Sequence, residues 1–211
     1  MNIVMVHGFW DTGRLFRPLW RHLEARGHLC HAPTLHPRDG GLGIEDLSGK
    51  LKAFIAGNVA RGAPVALVGF SMGAIVARHY LQALGGAASA RAFFSIAGPH
   101  GGTLSAYLHG GAGVRQMRPG SAFLRDLDSG AGALRGLPVY TYRTPFDLMV
   151  MPPGSSRIAS ATEQVVWCPL HSMLPGYPAV MAHMAGELAG LDAAAGIQPP
   201  PGPNRAGACA E

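Results

Sequence analysis

The stretch Pro64-Val65-Ala66-Leu67-Val68-Gly69-Phe70-Ser71-Met72-Gly73 constrains this chain more than any other. Its short apolar run predicts a buried parallel strand, and Ala74-Ile75-Val76-Ala77-Arg78-His79-Tyr80-Leu81 behind it suits a helix. A serine stands between them, two residues from a glycine on either side. A sharp strand-to-helix turn there strains the serine backbone and draws the flanking chain close, which leaves Gly69 and Gly73 no room for a Cβ. With 30 glycines among 211 residues the pentapeptide alone is weak, and its strand-turn-helix setting gives it weight.

The length suits one domain with a full core. Hydrophobic residues make up 48% and charged residues 14%, which excludes a disordered chain and predicts a sheet covered on both faces, hence largely parallel. The net charge of +5 rests on Lys50, Lys52 and 15 scattered arginines, which leave no nucleic-acid footprint. Cys30, Cys168 and Cys209 have no metal-ligand spacing and fit a reducing compartment or core packing better than a disulfide framework. The first residues, Asn2-Ile3-Val4-Met5-Val6, lack a basic leader, so a cytoplasmic location is expected. No run approaches the roughly 18 apolar residues of a membrane span.

Strand-like and helix-like segments alternate, the pattern of a doubly wound α/β sheet with right-handed crossovers. Strands are predicted near 2–6, 28–32, 64–69, 91–96, 138–142 and 163–167, and helices over about 14–26, 44–57, 72–84 and 177–190. From about 98 to 136 runs an insertion too long for a plain connection, with short helices expected around 103–109 and 120–128. Insertions of this size are lids or binding loops. The domain is expected to span 1–192. From 193 to 211 the composition turns Pro-, Gly- and Ala-rich, and Pro199-Pro200-Pro201-Gly202-Pro203 makes neither ladder nor helix, so a disordered tail is predicted.

A serine hydroxyl is a poor nucleophile unless a histidine takes its proton and a carboxylate holds that histidine in the right tautomer. On a sheet of this kind the chain order is serine, acid, histidine, with acid and base on loops after later strands. Asp126, Asp128, Asp147 and Glu163 lie between Ser71 and the late histidines. Asp126 and Asp128 fall in the insertion, and Glu163 opens a strand at the wrong edge. Asp147 follows the strand ending near Tyr142, at the edge where ligands meet such sheets, and is the expected acid. Of the ten histidines, His171 and His183 come late enough. His183 is mid-helix, whereas His171 lies in the loop after the last strand and is the expected base.

Acyl transfer also needs donors for a developing oxyanion. The strand Val4-Met5-Val6 ends in His7-Gly8-Phe9-Trp10, and the backbone N–H groups of Phe9 and Met72 are the expected pair. Phe9, Trp10, Met149, Met151, Leu170 and Met173 flank this set. They either line an apolar pocket, with Trp10, Met149 and Leu170 as substrate-binding residues, or serve only as packing. The stripe Leu104, Tyr107, Leu108 likewise either faces an acyl chain or belongs to the core.

With these elements in order, the chain resembles the α/β-hydrolases, specifically the compact bacterial lipase/esterase families that begin almost directly with the strand before His-Gly. The similarity covers about 1–190. It includes Gly98-Pro99-His100-Gly101-Gly102-Thr103, similar to those lipases' Pro-His-x-Gly-Thr, together with Gln116-Met117-Arg118-Pro119-Gly120-Ser121. It also includes Asp147-Leu148-Met149-Val150-Met151-Pro152, similar to their acid-bearing Asp-x-x-Val-x-Pro. The resemblance implies a minimal α/β-hydrolase fold and ester hydrolysis through an acyl-enzyme on Ser71. His171 would be base and then acid, Asp147 would orient it, and no metal or organic cofactor is implied. The implied partner is a small-molecule acyl ester, with contact to a lipid surface left open. The alternatives are an acyltransferase or amidase using the same triad, or a non-catalytic binding protein with the insertion as partner surface. His100 precedes Asp147 and reads as structural. Phe70, where a histidine is commoner, is expected to point its side chain away from the chemistry.

Overall fold

Within β1 (Asn2–Val6) the side chains of Ile3 and Met5 join one apolar cluster and those of Val4 and Val6 another, and all four are buried. A strand apolar on both sides needs a covering layer on both sides, which is the condition for a parallel sheet sandwiched by helices. The computed structural model describes residues 1–196. Among them β1, β2 (Leu29–His31), β3 (Val65–Phe70), β4 (Ala90–Ile96), β5 (Val139–Arg143) and β6 (Thr162–Val165) form one sheet in the order β2-β1-β3-β4-β5-β6. Every neighbouring pair is parallel.

One face carries α1 (Arg17–Glu24) and α6 (Pro178–Ala194), whose Leu19, Leu23, Val180, Met184 and Leu188 join the cluster of Ile3, Met5, Val68 and Phe94. The other carries α2 (Ile44–Asn58) and α3 (Met72–Ala83), with Ile44, Leu47, Leu51 and Ile75 in one cluster with Val4, Leu67 and Phe93. The insertion adds α4 (Ala112–Gln116) and α5 (Ala122–Ser129), and Val114, Leu124 and Leu127 extend this second cluster. Each such aliphatic side chain contributes roughly 2 kcal/mol by leaving water, enough to seat helices as short as α4 and α5.

Three boundaries differ from the sequence expectation. The segment 14–26 divides into a 3-10 turn, Gly13–Phe16, and then α1. Pro18 has no N–H and fits only the first turn of a helix, so it opens α1. In the insertion, 103–109 is a 3-10 turn over Leu104–Tyr107, while α5 matches 120–128 and is capped by Ser121 Oγ, which accepts the Leu124 N–H at 3.2 Å. The five-residue α4 is too short to have left a periodic pattern. Finally, α6 runs on to Ala194, through two residues assigned to the tail, and the remainder of that stretch from 197 lies outside the described residues.

Candidate active site

Ser71 joins β3 to α3 with φ +52° and ψ −124°, a left-handed conformation that a side chain disfavours. Its N–H donates to the Ile96 carbonyl at 2.8 Å, which ties the apex to β4. Close packing explains both glycines. A Cβ on Gly69 would fall on Ala74 Cα, and one on Gly73 would enter the carbonyl oxygen of Val6. The turn therefore holds the serine at the carboxyl edge of the sheet, at the start of a helix whose first N–H groups have no helical acceptor.

Asp147 and His171 arrive at the same edge on the loops after β5 and β6. The Asp147 carboxylate is 2% exposed; Oδ1 accepts from the N–H of Met149 at 2.9 Å and of Val150 at 2.8 Å. Oδ2 accepts from His171 Nδ1 at 2.7 Å, so the other ring nitrogen is left without the proton. Phe70 does not point away from this group. Its ring is buried and lies 4.7 Å from the His171 ring, because alternation along β3 sends Phe70 to the α1/α6 face with Ala66 and Val68.

The competing residues are engaged elsewhere. Glu163 accepts from Arg143 at 2.7 Å and Arg157 at 2.9 Å, and these hydrogen bonds hold its carboxyl below the usual range. Asp128 pairs with the buried Arg78 at 2.7 Å, and Asp126 lies on α5. His183 sits on α6, its Nδ1 2.9 Å from the Tyr142 hydroxyl, and His100 is buried with Nε2 2.7 Å from Ser95 Oγ.

The turn after β1 is built by His7, which local sequence pattern does not mark. Leu35 N–H donates to His7 Nε2 at 2.9 Å, so the ring proton is on Nδ1, which donates to the Gly8 carbonyl at 2.8 Å. Because Nε2 accepts, the ring is neutral, and burial lowers the His7 pKa in the same sense. With that carbonyl held toward His7, the N–H of the same trans peptide, on Phe9, points the opposite way. Neither Phe9 N–H nor Met72 N–H has a protein acceptor among the described residues. The His-Gly pair stood out in the sequence for its glycine; the histidine shows its part only once Leu35 is folded against it.

Ser71 opens into a narrow cavity of about 50 Å³, walled by Phe9, Met149 and Val150 and, from the insertion, Ala106, His109, Val114 and Met117. Of the three expected substrate-binding residues, Met149 lines this cavity, while Trp10 and Leu170 stand outside it, 60% and 57% exposed. Leu104, Tyr107 and Leu108 are exposed, so they are not core; with Trp10, Leu148, Leu170 and Met173 they leave an apolar rim on the loops after β1, β4, β5 and β6. Thr103 clamps the Asp147 loop: its hydroxyl donates to Met149 O and accepts from Met151 N–H, both at 2.9 Å. Among the described residues no cluster of three or more His, Cys, Asp or Glu side chains stands ready to hold a metal, and no helix is long and apolar enough to cross a membrane.

A family model described as the alpha/beta hydrolase family matches residues 3–203. The chain belongs to the alpha/beta hydrolase family. No protein of curated function matches the chain by sequence. Among solved structures, this hydrolase is similar in fold to the mature form of a lipase from Bacillus licheniformis, with a TM-score of 0.70 and 16% identity over 87% of this chain and 90% of that one. It is also similar to a pyrethroid hydrolase from Sphingobium faniae, with a TM-score of 0.61 and 16% identity over 93% of this chain and 99% of that one. A lipase-esterase related protein from Clostridium acetobutylicum gives 0.60 and 15% identity over 90% and 93% of the two chains.

Proposed function

We propose that this hydrolase cleaves carboxylic esters through an acyl-enzyme on Ser71. The observation that carries the reading is the 2.7 Å hydrogen bond between His171 and Asp147, made at the sheet edge that also holds the strained Ser71. Ser71 Oγ attacks the ester carbonyl while His171 Nε2 takes its proton, and Asp147 stabilises the imidazolium that results. The N–H groups of Phe9 and Met72 donate to the oxyanion. Collapse of the tetrahedral intermediate breaks the ester C–O bond, and the alcohol leaves with the proton from His171. Water then attacks the acyl-enzyme with His171 as base, which frees the acid and restores Ser71.

The substrate class is a small-molecule acyl ester. Met149 and the insertion residues around the cavity suit one apolar arm of it, and the exposed apolar rim suits contact with a lipid surface. The similar folds of a lipase and a pyrethroid hydrolase support an ester-cleaving reading.

Initial rates on p-nitrophenyl esters from acetate to palmitate, for the wild type and Ser71→Ala, test this. Hydrolysis that disappears in the variant is the expected result, together with fluorophosphonate labelling that Ser71→Ala abolishes. Equal rates in the two proteins, or a folded wild type that neither hydrolyses nor labels, would overturn it. Faster release of nitrophenol with added alcohol, and formation of the new ester, would identify acyl transfer as the main reaction.

A further inference from the structure

Asp11 has no part in the steps above, yet it stands beside Ser71. Its N–H closes a turn onto the Gly8 carbonyl at 3.3 Å. A Cβ on Gly8 would lie 3.0 Å from Asp11 Oδ2 and 3.1 Å from Ser71 Cβ, so carboxylate and serine side chain border the same small space. Unlike Asp147, Asp11 has no hydrogen bond to its carboxylate among the described residues. The charged and titratable groups that face it are His7, His171 and Arg38. The guanidinium of Arg38 is directed at the backbone carbonyls of Trp10 and Asp11, at 3.2 and 3.5 Å, and not at the carboxylate. Burial pushes the Asp11 carboxyl above its usual range against the pull of these three.

The two residues before this unpartnered acid in the chain, Phe9 and Trp10, belong to an aromatic group. Phe9, on the cavity wall with Ser71, has its ring 4.5 Å from that of Trp10 and 5.4 Å from His109, and Trp10 is largely exposed. Aromatic faces attract cations, quaternary ammonium groups above all, and a carboxylate supplies the opposite charge. The position matters for the reaction as well. A carboxylate that borders the same space as the Ser71 side chain opposes negative charge developing at the serine; a cation on the substrate offsets the opposition and a second anion adds to it.

Resting on the ester-hydrolase reading, we propose that Asp11 selects substrates by charge. The site takes esters that carry an ammonium group close to the scissile carbonyl and turns away esters that carry an anion there.

The test compares two p-nitrophenyl esters of one shape, a butyrate ending in a trimethylammonium group and its uncharged counterpart ending in a tert-butyl group. The wild type is expected to favour the ammonium ester by about tenfold in kcat/KM, the size of one charge-charge interaction at this range. Raising the salt to about 0.5 M should shrink that preference. Asp11→Asn should bring the ratio near one. Because a folding defect slows both esters alike, the ratio reads charge recognition alone. A wild-type ratio near one, a preference that salt leaves untouched, or a preference that survives in Asp11→Asn would each overturn the proposal. Failure of the ester reading looks different: the tert-butyl ester is then not cleaved, or Ser71→Ala cleaves it as well as the wild type.

Discussion

At the scale of single residues, the site depends on atoms whose roles are set by their second partners. Asp147 Oδ1 is held by two backbone N–H groups, so an asparagine at 147 would keep its carbonyl oxygen there and turn its NH2 toward His171. His171 would then have to accept at Nδ1 and carry its proton on Nε2, where it can take nothing from Ser71. Asp147→Asn is expected to fold normally and lose kcat by about 10⁴, read from ester kinetics beside a circular dichroism melt. Near-normal turnover in the folded variant would assign the acid's role elsewhere. His7 follows the same logic: its tautomer is set by Leu35, and through it the Gly8–Phe9 peptide is oriented.

At the scale of elements, the insertion is joined to the loop that carries Asp147. The Thr103 hydroxyl bonds Met149 O and Met151 N–H, and Ser105 Oγ donates to the same Met149 carbonyl at 2.6 Å. Thr103→Val keeps the shape and removes the hydroxyl, leaving the half-buried Met151 end of the loop one acceptor short. Loss of about 1–2 kcal/mol in stability is expected, measured by urea unfolding. The larger relative effect should fall on kcat, since the loop that moves carries Asp147; an unchanged kcat would mean that the loop is held in place without this clamp. Boundaries at this scale were the least legible in the chain. Pro18 marks the start of α1 to within a turn, but α4, anchored by Gly113 N–H on the Gly40 and Leu42 carbonyls at 3.0 Å, depends on a loop some seventy residues earlier.

At the scale of the whole molecule, burial of neutral histidines links stability to pH. His7, His28 and His100 are each buried, and burial lowers each pKa from the ordinary 6.5, furthest for His100. The unfolded chain therefore binds more protons than the folded one as the pH falls below about 6.5, and stability is lost in that direction. Melting temperature is expected to hold steady above that pH and to drop below it, by roughly 2–4 °C for each kcal/mol lost. A melting temperature that rose on acidification would contradict the buried, neutral state of these rings.

By itself the sequence determined what local pattern and chain order can determine. Six strand segments, the four long helices, the strained serine turn and the positions of Asp147 and His171 on loops after successive strands all follow from periodicity, glycine spacing and the position of polar residues just after strands. Each of those signals lies within a dozen residues or in the order of segments. Tertiary structure alone decided which distant groups meet. Phe70 against His171, Thr103 on the Asp147 loop, Leu35 on His7, and Val114 and Met117 on the wall of the Ser71 cavity are contacts between separate elements, chosen by the packing of two layers on a twisted sheet. The unpaired Asp11 became visible in the same way, since a carboxylate lacks a partner only once every neighbour has been given its place.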